Sequence, residues 1–269
     1  MATIASTVDR KTAGPAASTL AVARRAVLRY LRTPQLIVLG TVQGAMFLLI
    51  FRYVFGGAID VGAIRYVDFL VPGFVTTGVL FTGMSAATAM AEDLEQGFID
   101  RLRSLPIPRS SVLAGRATAD TAMHTWSLAI TVSIGFAVGF RLHGTMPGSL
   151  AAFGLLIAFG FAFEWLFITL GLFAGTAQAA QGMALLVFPL TFVSSAYVPV
   201  ESMSGWMQPF AQHQPLTYMV DAVRALTQGP EAEALLGHPA VYFVTRALLW
   251  AAGIVVVFAP VAVARYRRG

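Results

Sequence analysis

Glu164 stands inside the apolar run "FGFAFEWLFITLG". Burying an acid within a membrane costs at least about 2–3 kcal/mol, so such a residue faces a protein interior or a water path. It can mark a polar point on a transport route, or it can be a structural acid hydrogen-bonded to a Thr or Gln of a neighbouring helix; the sequence leaves both open. A second constellation is Arg116, Asp120 and His124, at i, i+4 and i+8. On a helix these share one face, and Arg116 and Asp120 can pair. An interfacial anchor is the expected role, with a proton relay as the alternative. The third is "EDLEQGFIDRLRSLPIPRSSVLAGR", Glu92 to Arg116, which packs four acids and four arginines into 25 residues of an otherwise apolar chain.

Other chemistries are excluded. Without cysteine there is no thiolate nucleophile, thiolate metal site or disulfide. His124, His143, His213 and His238 lack metal-ligand spacing. A phosphate-binding loop needs a lysine after a glycine-rich turn to reach the nucleotide phosphates. The only lysine, Lys11, follows Arg10 and has no such turn. No polar region is long enough for a separate catalytic domain, so the chain is not expected to be an enzyme or to bind a cofactor itself. If ATP drives it, the ATPase is another chain.

The elements that would position these residues are membrane helices. The chain is 57% hydrophobic and 12% charged, against about 25% charged in soluble domains. A helix needs about 20 apolar residues to cross a bilayer. Six segments fit: Gln35–Phe51, Phe69–Ala91, Ala117–Phe140, Leu150–Gly175, Gly182–Val200 and Ala247–Ala264. The expected fold is therefore an all-α membrane domain over residues 35–266, with a segment at 92–116 on one side and a long loop at 201–246 on the other. With both termini in the cytoplasm, 13 of the 18 basic residues fall inside, as the positive-inside rule requires. That distribution makes the net charge of +5 a matter of topology, and no nucleic-acid partner is expected. Residues 1–19 read as a polar tail with no cleavable signal. Residues 20–34 hold Arg24, Arg25, Arg29 and Arg32 on one helical face, a basic amphipathic helix suited to the inner lipid headgroups. In the outer loop, Trp206, Met207, Phe210 and Tyr218 fit an aromatic belt.

Within the charged stretch, Leu94, Phe98, Leu102 and Leu105 recur at i, i+4, i+8 and i+11. This predicts one amphipathic helix with an apolar stripe to bury. Acids gather at its start and arginines at its end, as the helix dipole favours. Pro106 and Pro108 stop it, and Ser110 or Ser111 can cap a new helix leading into the third span. A plain connector would be about 2–8 residues long. A helix, an elbow and a restart read instead as a surface for a partner.

The stretch "AEDLEQGFIDRLRSLPIPRSSVLAGR" resembles the cytoplasmic segment of ATP-binding-cassette type 2 permeases, above all the daunorubicin-resistance exporter group. Glu95, Gly97, Asp100, Arg101, Leu102, Arg103, Pro106, Arg109 and Gly115 stand at matching positions. "FPLTFVSSAYVPVESMSGWMQPFAQHQPLTYMVDAVRAL" (Phe188–Leu226) resembles the family's fifth span and outer loop, with Pro215–Tyr218 and Asp221–Arg224 as its marked elements. The resemblance covers about residues 20–266. It implies a permease half that pairs with a second permease chain and with cytoplasmic ATPase subunits, which would hold the ATP and magnesium. It assigns Glu92, Asp93, Glu95, Gly97, Asp100, Arg101, Leu102, Arg103, Pro106 and Arg109 to ATPase coupling. It also makes Pro215, Tyr218, Asp221 and Arg224 part of a re-entrant outer gate. The expected cargo is hydrophobic or amphipathic: a drug, a polyketide or a lipid. A proton-coupled transporter using Glu164 or Asp120 is the competing expectation; a non-transport scaffold would leave the buried acid unexplained.

Overall fold

A computed structural model describes residues 20, 42, 44–59, 61–62, 64–103 and 109–268. Among them there is no strand. The helices, numbered here in chain order, are α1 (Gly44–Phe55), whose last turn, Phe51–Phe55, is π-helical, and α2 (Tyr66–Glu95). Then come α3 (Phe98–Arg103), α4 (Arg109–Ala137), α5 (Met146–Ala174), α6 (Ala177–Leu185) and α7 (Pro189–Phe192). After a 3-10 turn at Val200–Ser202 follow α8 (Gln208–His213), α9 (Pro215–Gln228), α10 (Pro230–Leu236) and α11 (Ala240–Arg268).

Three of these, α2, α5 and α11, are long and apolar enough to cross a membrane. The helix α4 matches α5 at 29 residues but carries Arg116, Asp120 and His124, and is not among the three. The expected basic helix at 20–34 and most of the first expected span lie outside the described residues; α1 continues that span to Phe55. The second, fourth and sixth expected spans are found with longer ends. The fifth, Gly182–Val200, is not one α-helix: between α6 and α7, before Pro189, the ladder tightens to i→i+3 bonds, and the chain unwinds after Phe192. Proline has no N–H to donate to an α-helical ladder, and the following "VSSAYVP" segment takes hydrogen bonds from elsewhere in the fold.

The centre of the bundle is α5, which packs most extensively against α2 and α11. It is apolar on nearly all sides, as a helix buried all round must be, and most of its apolar stretch is buried, whereas that of α11 is largely exposed. Thr145 caps its start by accepting from the Gly148 amide, and Gly175 ends it at φ 76°. Thr176 caps α6 directly afterwards, so the chain reverses without a loop. The exposed residues of α11, among them Leu248, Leu249, Val256 and Val257, form a lipid-compatible flank.

Small residues allow the close crossings. Gly83 lies under the Phe167 ring, and Gly171 faces the Ala87 carbonyl and Met90. A Cβ on Gly171 would stand 2.8 Å from the Met90 Cβ. Gly171→Leu is expected to destabilise the protein by about 1–3 kcal/mol through overpacking, read as a lower melting temperature in detergent, whereas Gly182→Ala, with nothing within 4 Å of its added Cβ, should leave it unchanged.

The chain directions follow from these contacts. Helices α2, α5 and α11 run parallel and α4 runs against them. One end of the bundle holds Asp93, Arg116 and Tyr266; the opposite end holds Asp68, Ser195 and Arg224. A small apolar core closes the first end, with Met90, Ile99, Val112, Leu113, Trp165, Ile168, Leu172 and Tyr266. The larger core fills the rest, between α2, α5, α9 and α11.

Candidate functional site

At the Asp93 end the expected single helix over the charged stretch is corrected to two. α2 runs to Glu95, Gly97 turns the chain at φ +66°, and α3 begins at Phe98. A left-handed φ suits glycine because it carries no Cβ. The apolar spacing runs on through this glycine, so periodicity alone does not reveal the break. Ile99, which is outside the predicted stripe, is the α3 residue buried in the small core, and Leu94 packs against the same core. Asp100, Arg101, Leu102 and Arg103 all lie on α3, with Arg101 exposed. Arg109 opens α4, while Pro106 lies outside the described residues.

The acids of this stretch have separate places. Glu92 is half-buried. Asp93 is buried and receives Arg116 Nη1 at 2.5 Å, and Arg116 also donates through Nε to Asp120 at 2.8 Å. The end of α2 is therefore tied to the second turn of α4, across the segment that contains α3; the elbow expected at Pro106 and Pro108 lies outside the described residues. Glu95 is exposed, and its Oε2 accepts from the Ala177 amide at 3.4 Å, linking the stretch to the start of α6. The predicted Arg116–Asp120 pair is present; Asp93 as its third member is separated by 23 positions in sequence, and no local pattern signals it.

Further into the bundle, Asp120, His124 and Glu164 are each at most 2% exposed. The His124 ring sits against Gly160, where an added Cβ would come within 2.6 Å of it. Since α4 and α5 are antiparallel, Glu164, one turn beyond Gly160, falls beside Asp120, one turn before His124. Asp120 and Arg116 are the charged groups that act on Glu164. The structure thus joins two constellations that the sequence showed apart.

At the opposite end, Arg224 is fully buried. Its Nη1 donates to Asp221 Oδ1 at 2.7 Å, its Nη2 to the carbonyls of Ser195 at 2.8 Å and Phe69 at 3.1 Å. The guanidinium lies 3.6 Å from the Phe69 ring centre. The Ser195 hydroxyl donates to the same Asp221 oxygen at 2.7 Å. One arginine thus fastens α9 to α2 and to the unwound segment after α7. Gln214 adds bonds from its Nε2 to the Leu190 and Val193 carbonyls. Pro215 begins α9, where its missing N–H costs no ladder bond. Tyr218 is buried, and its hydroxyl accepts from Arg246 at 3.4 Å. Of the expected belt, Trp206 and Phe210 are exposed while Tyr218 is not. A cavity of about 290 Å³ opens here, bordered by Thr217, Tyr218, Asp221, Arg224, His238 and Tyr242.

Sequence reasoning missed Ser195, the Phe69 carbonyl and Asp68. Asp68 is 1% exposed and accepts from Arg65 Nε at 2.7 Å and from the Arg141 amide at 2.9 Å. An acid in the first turn of a long apolar helix was the available signal for Asp68. The carbonyls have none.

Long apolar helices with a buried ion pair at each end of the bundle define a multi-pass membrane protein. The chain matches the ABC-2 type transporter family across residues 17–227, and it belongs to that family. It is 32% identical over 244 residues to the daunorubicin resistance ABC transporter permease protein DrrB1 of Streptomyces coeruleorubidus, covering 90% of this chain and 83% of that one. It is 27% identical over 258 residues to the probable doxorubicin resistance ABC transporter permease protein DrrC of Mycobacterium tuberculosis, covering 94% and 89%. The probable multidrug ABC transporter permease YbhR of Escherichia coli K12 is 24% identical over 167 residues, 60% of this chain and 44% of that one. The expected family is thereby borne out.

Proposed function

We propose that this chain is the membrane subunit of an ATP-driven exporter for a hydrophobic or amphipathic molecule, a drug, polyketide or lipid, powered by separate cytoplasmic ATPase subunits and paired with a second permease chain. The observation that carries this reading is the elbow. α3 is short and partly exposed, yet Ile99 anchors it in the core and the Asp93–Arg116–Asp120 bridge joins the helices on either side of it. A push on α3 would therefore reach α2 and α4 together. Similarity to permeases named for drug resistance supports the exporter class and the kind of cargo.

In this mechanism ATP and magnesium bind the ATPases, whose closure moves α3 against the base of the bundle. Glu95 would pass the movement to α6 through the Ala177 amide. The far end, fastened by Arg224 and Asp221, would act as the outer gate, with Pro215 and Tyr218 shaping α9. Both termini would lie in the cytoplasm.

The test is co-purification of the full chain with candidate ATPases, followed by ATP hydrolysis. Co-elution is expected, and Arg101→Glu is expected to weaken it, since Arg101 is exposed on α3. Unchanged association would remove the elbow as the dock. Transport by this chain alone in liposomes under a proton gradient would overturn the ATP-driven reading in favour of a proton-coupled one.

A further inference from the structure

The cavity at the Arg224 end is bordered by negative charge that the fold leaves open. Asp221 is 6% exposed, and both hydrogen bonds it receives, from Arg224 Nη1 and from the Ser195 hydroxyl, fall on Oδ1. Its Oδ2 takes no bond among the described residues, and Asp221 borders the cavity. All three Arg224 nitrogens already donate, to Asp221 and to the Phe69 and Ser195 carbonyls. Glu201 borders the same cavity, is exposed and forms no ion pair among the described residues. Burial pushes the Asp221 carboxyl up to about 6, Arg224 and the Ser195 hydroxyl draw it down, and the charge of Glu201 adds to the rise. Two carboxylates against one guanidinium leave one negative charge uncompensated at the cavity.

A positive charge stands on the wall of this cavity. His238, Tyr242 and Arg246 follow at i, i+4 and i+8 into α11; the His238 and Tyr242 rings stack at 4.1 Å, and the Arg246 guanidinium lies 4.1 Å from the Tyr242 ring centre. Arg246 also donates to the Tyr218 hydroxyl at 3.4 Å. It is exposed and forms no ion pair among the described residues. Between Arg246 and Arg265, α11 carries 18 uncharged residues. At 1.5 Å per residue the two arginines are about 28 Å apart, close to one hydrocarbon core. Arg246 therefore stands at the headgroup level of one leaflet. Toward the bilayer centre from it, exposed Leu248, Leu249 and Trp250 offer an apolar flank for acyl chains. The cavity, about 290 Å³, falls at the small end of ligand pockets, about 300–1,000 Å³. That size suits a headgroup better than a whole drug.

An anion alone would meet Glu201 and the open side of Asp221, and a cation alone would leave Arg246 unanswered. An ammonium and a phosphate a few bonds apart answer both. We propose that this cavity binds an aminophospholipid of the leaflet at the Arg224 end, with its ammonium on Asp221 and Glu201, its phosphate on Arg246 and its chains along α11. A primary ammonium has three N–H donors, enough for both carboxylates. The bound lipid joins the turn at Glu201 to α9 and α11, beside the ion pair that fastens α9. The inference goes beyond the exporter reading and does not depend on it, since it needs only that α11 crosses a bilayer.

The test is native mass spectrometry of the purified full-length chain, stripped of lipid in a nonionic detergent, with dioleoyl phosphatidylethanolamine or dioleoyl phosphatidylglycerol added. The wild-type chain is expected to bind phosphatidylethanolamine about tenfold more tightly, a difference of about 1.4 kcal/mol, because phosphatidylglycerol keeps the phosphate and lacks the amine. Equal binding of the two would overturn the proposal. Glu201→Gln is expected to remove most of that preference by weakening phosphatidylethanolamine alone, and Glu201→Asp to keep part of it. Arg246→Gln is expected to weaken both lipids. An unchanged preference in Glu201→Gln, or unchanged phosphatidylethanolamine binding in Arg246→Gln, would overturn the site. Both side chains are exposed; if either variant fails to fold, the wild-type comparison still decides. Soluble phosphoethanolamine is expected to compete only at far higher concentration than the lipid. Competition at equal concentration would mark a site for a free zwitterion and overturn the lipid assignment.

Discussion

Replacing Arg224 by alanine is expected to destabilise the protein by about 3–5 kcal/mol, the usual consequence of removing one partner of a buried ion pair. The loss is large because four acceptor contacts depend on one side chain with no exposure. Asp221 would be left buried with only the Ser195 hydroxyl, and the Phe69 and Ser195 carbonyls would lose their donor. Lysine should rescue little, since a single ammonium cannot reproduce the planar fork that reaches Asp221, Phe69 and Ser195 together. The double replacement Arg224→Leu with Asp221→Leu should be markedly milder than Arg224→Ala, because it removes both charges at once. The measurement is melting in detergent with monodispersity by size exclusion. A single replacement no worse than the double one would show that the ion pair does not hold α9 in place.

Arg116→Gln is expected to separate ATPase binding from transport. The exposed surface of α3 is untouched, so the ATPase should still co-elute. Transport should fall about tenfold or more, each factor of ten corresponding to about 1.4 kcal/mol of lost coupling. The reason lies in the two ion pairs: with Arg116 neutral, Asp93 and Asp120 lose the charge that joins α2 to α4. Exchanging the charges, Arg116→Asp with Asp93→Arg, should restore part of the activity by re-forming that contact, although Asp120 then faces a like charge. Transport in vesicles, with ATP hydrolysis measured in parallel, checks both. Normal transport by Arg116→Gln would mean that the elbow moves the helices through Ile99 and its apolar neighbours alone. Loss of co-elution in the same variant would place Arg116 in the docking surface instead.

These two ion pairs were unequally visible in the sequence. Arg116–Asp120 and Asp221–Arg224 are local, at i,i+4 and i,i+3, and helical geometry alone brings such residues together. What each pair holds was not visible. Asp93 joins Arg116 from another helix, and Ser195 and the Phe69 carbonyl reach Arg224 from two other parts of the chain. Contacts of that kind depend on how helices pack.

The helices themselves divide in the same way. Apolar runs located α2, α5 and α11, because a long run of such residues has no stable place in water. The fifth expected span was misread as continuous because apolar content does not distinguish a helix from an extended segment that other elements satisfy. After Phe192 the chain leaves the helix, and Gln214, Thr217 and Arg224 supply its hydrogen bonds. At Gly97 the apolar spacing continued across a turn, since spacing records which residues avoid water and says nothing of φ.

By itself, then, the sequence determined that this chain lives in a membrane, carries no phosphate-loop ATP site and presents a charged elbow between helices. Each of these follows from the chemistry of residues taken with their near neighbours. Only the tertiary structure decided that the chain turns at Gly97, that Asp93 is bound to Arg116, that Arg224 fastens α9 to α2 and that Glu164 stands beside Asp120. Those facts depend on which distant faces meet, and burial makes charges at such meetings matter far more than they would in water.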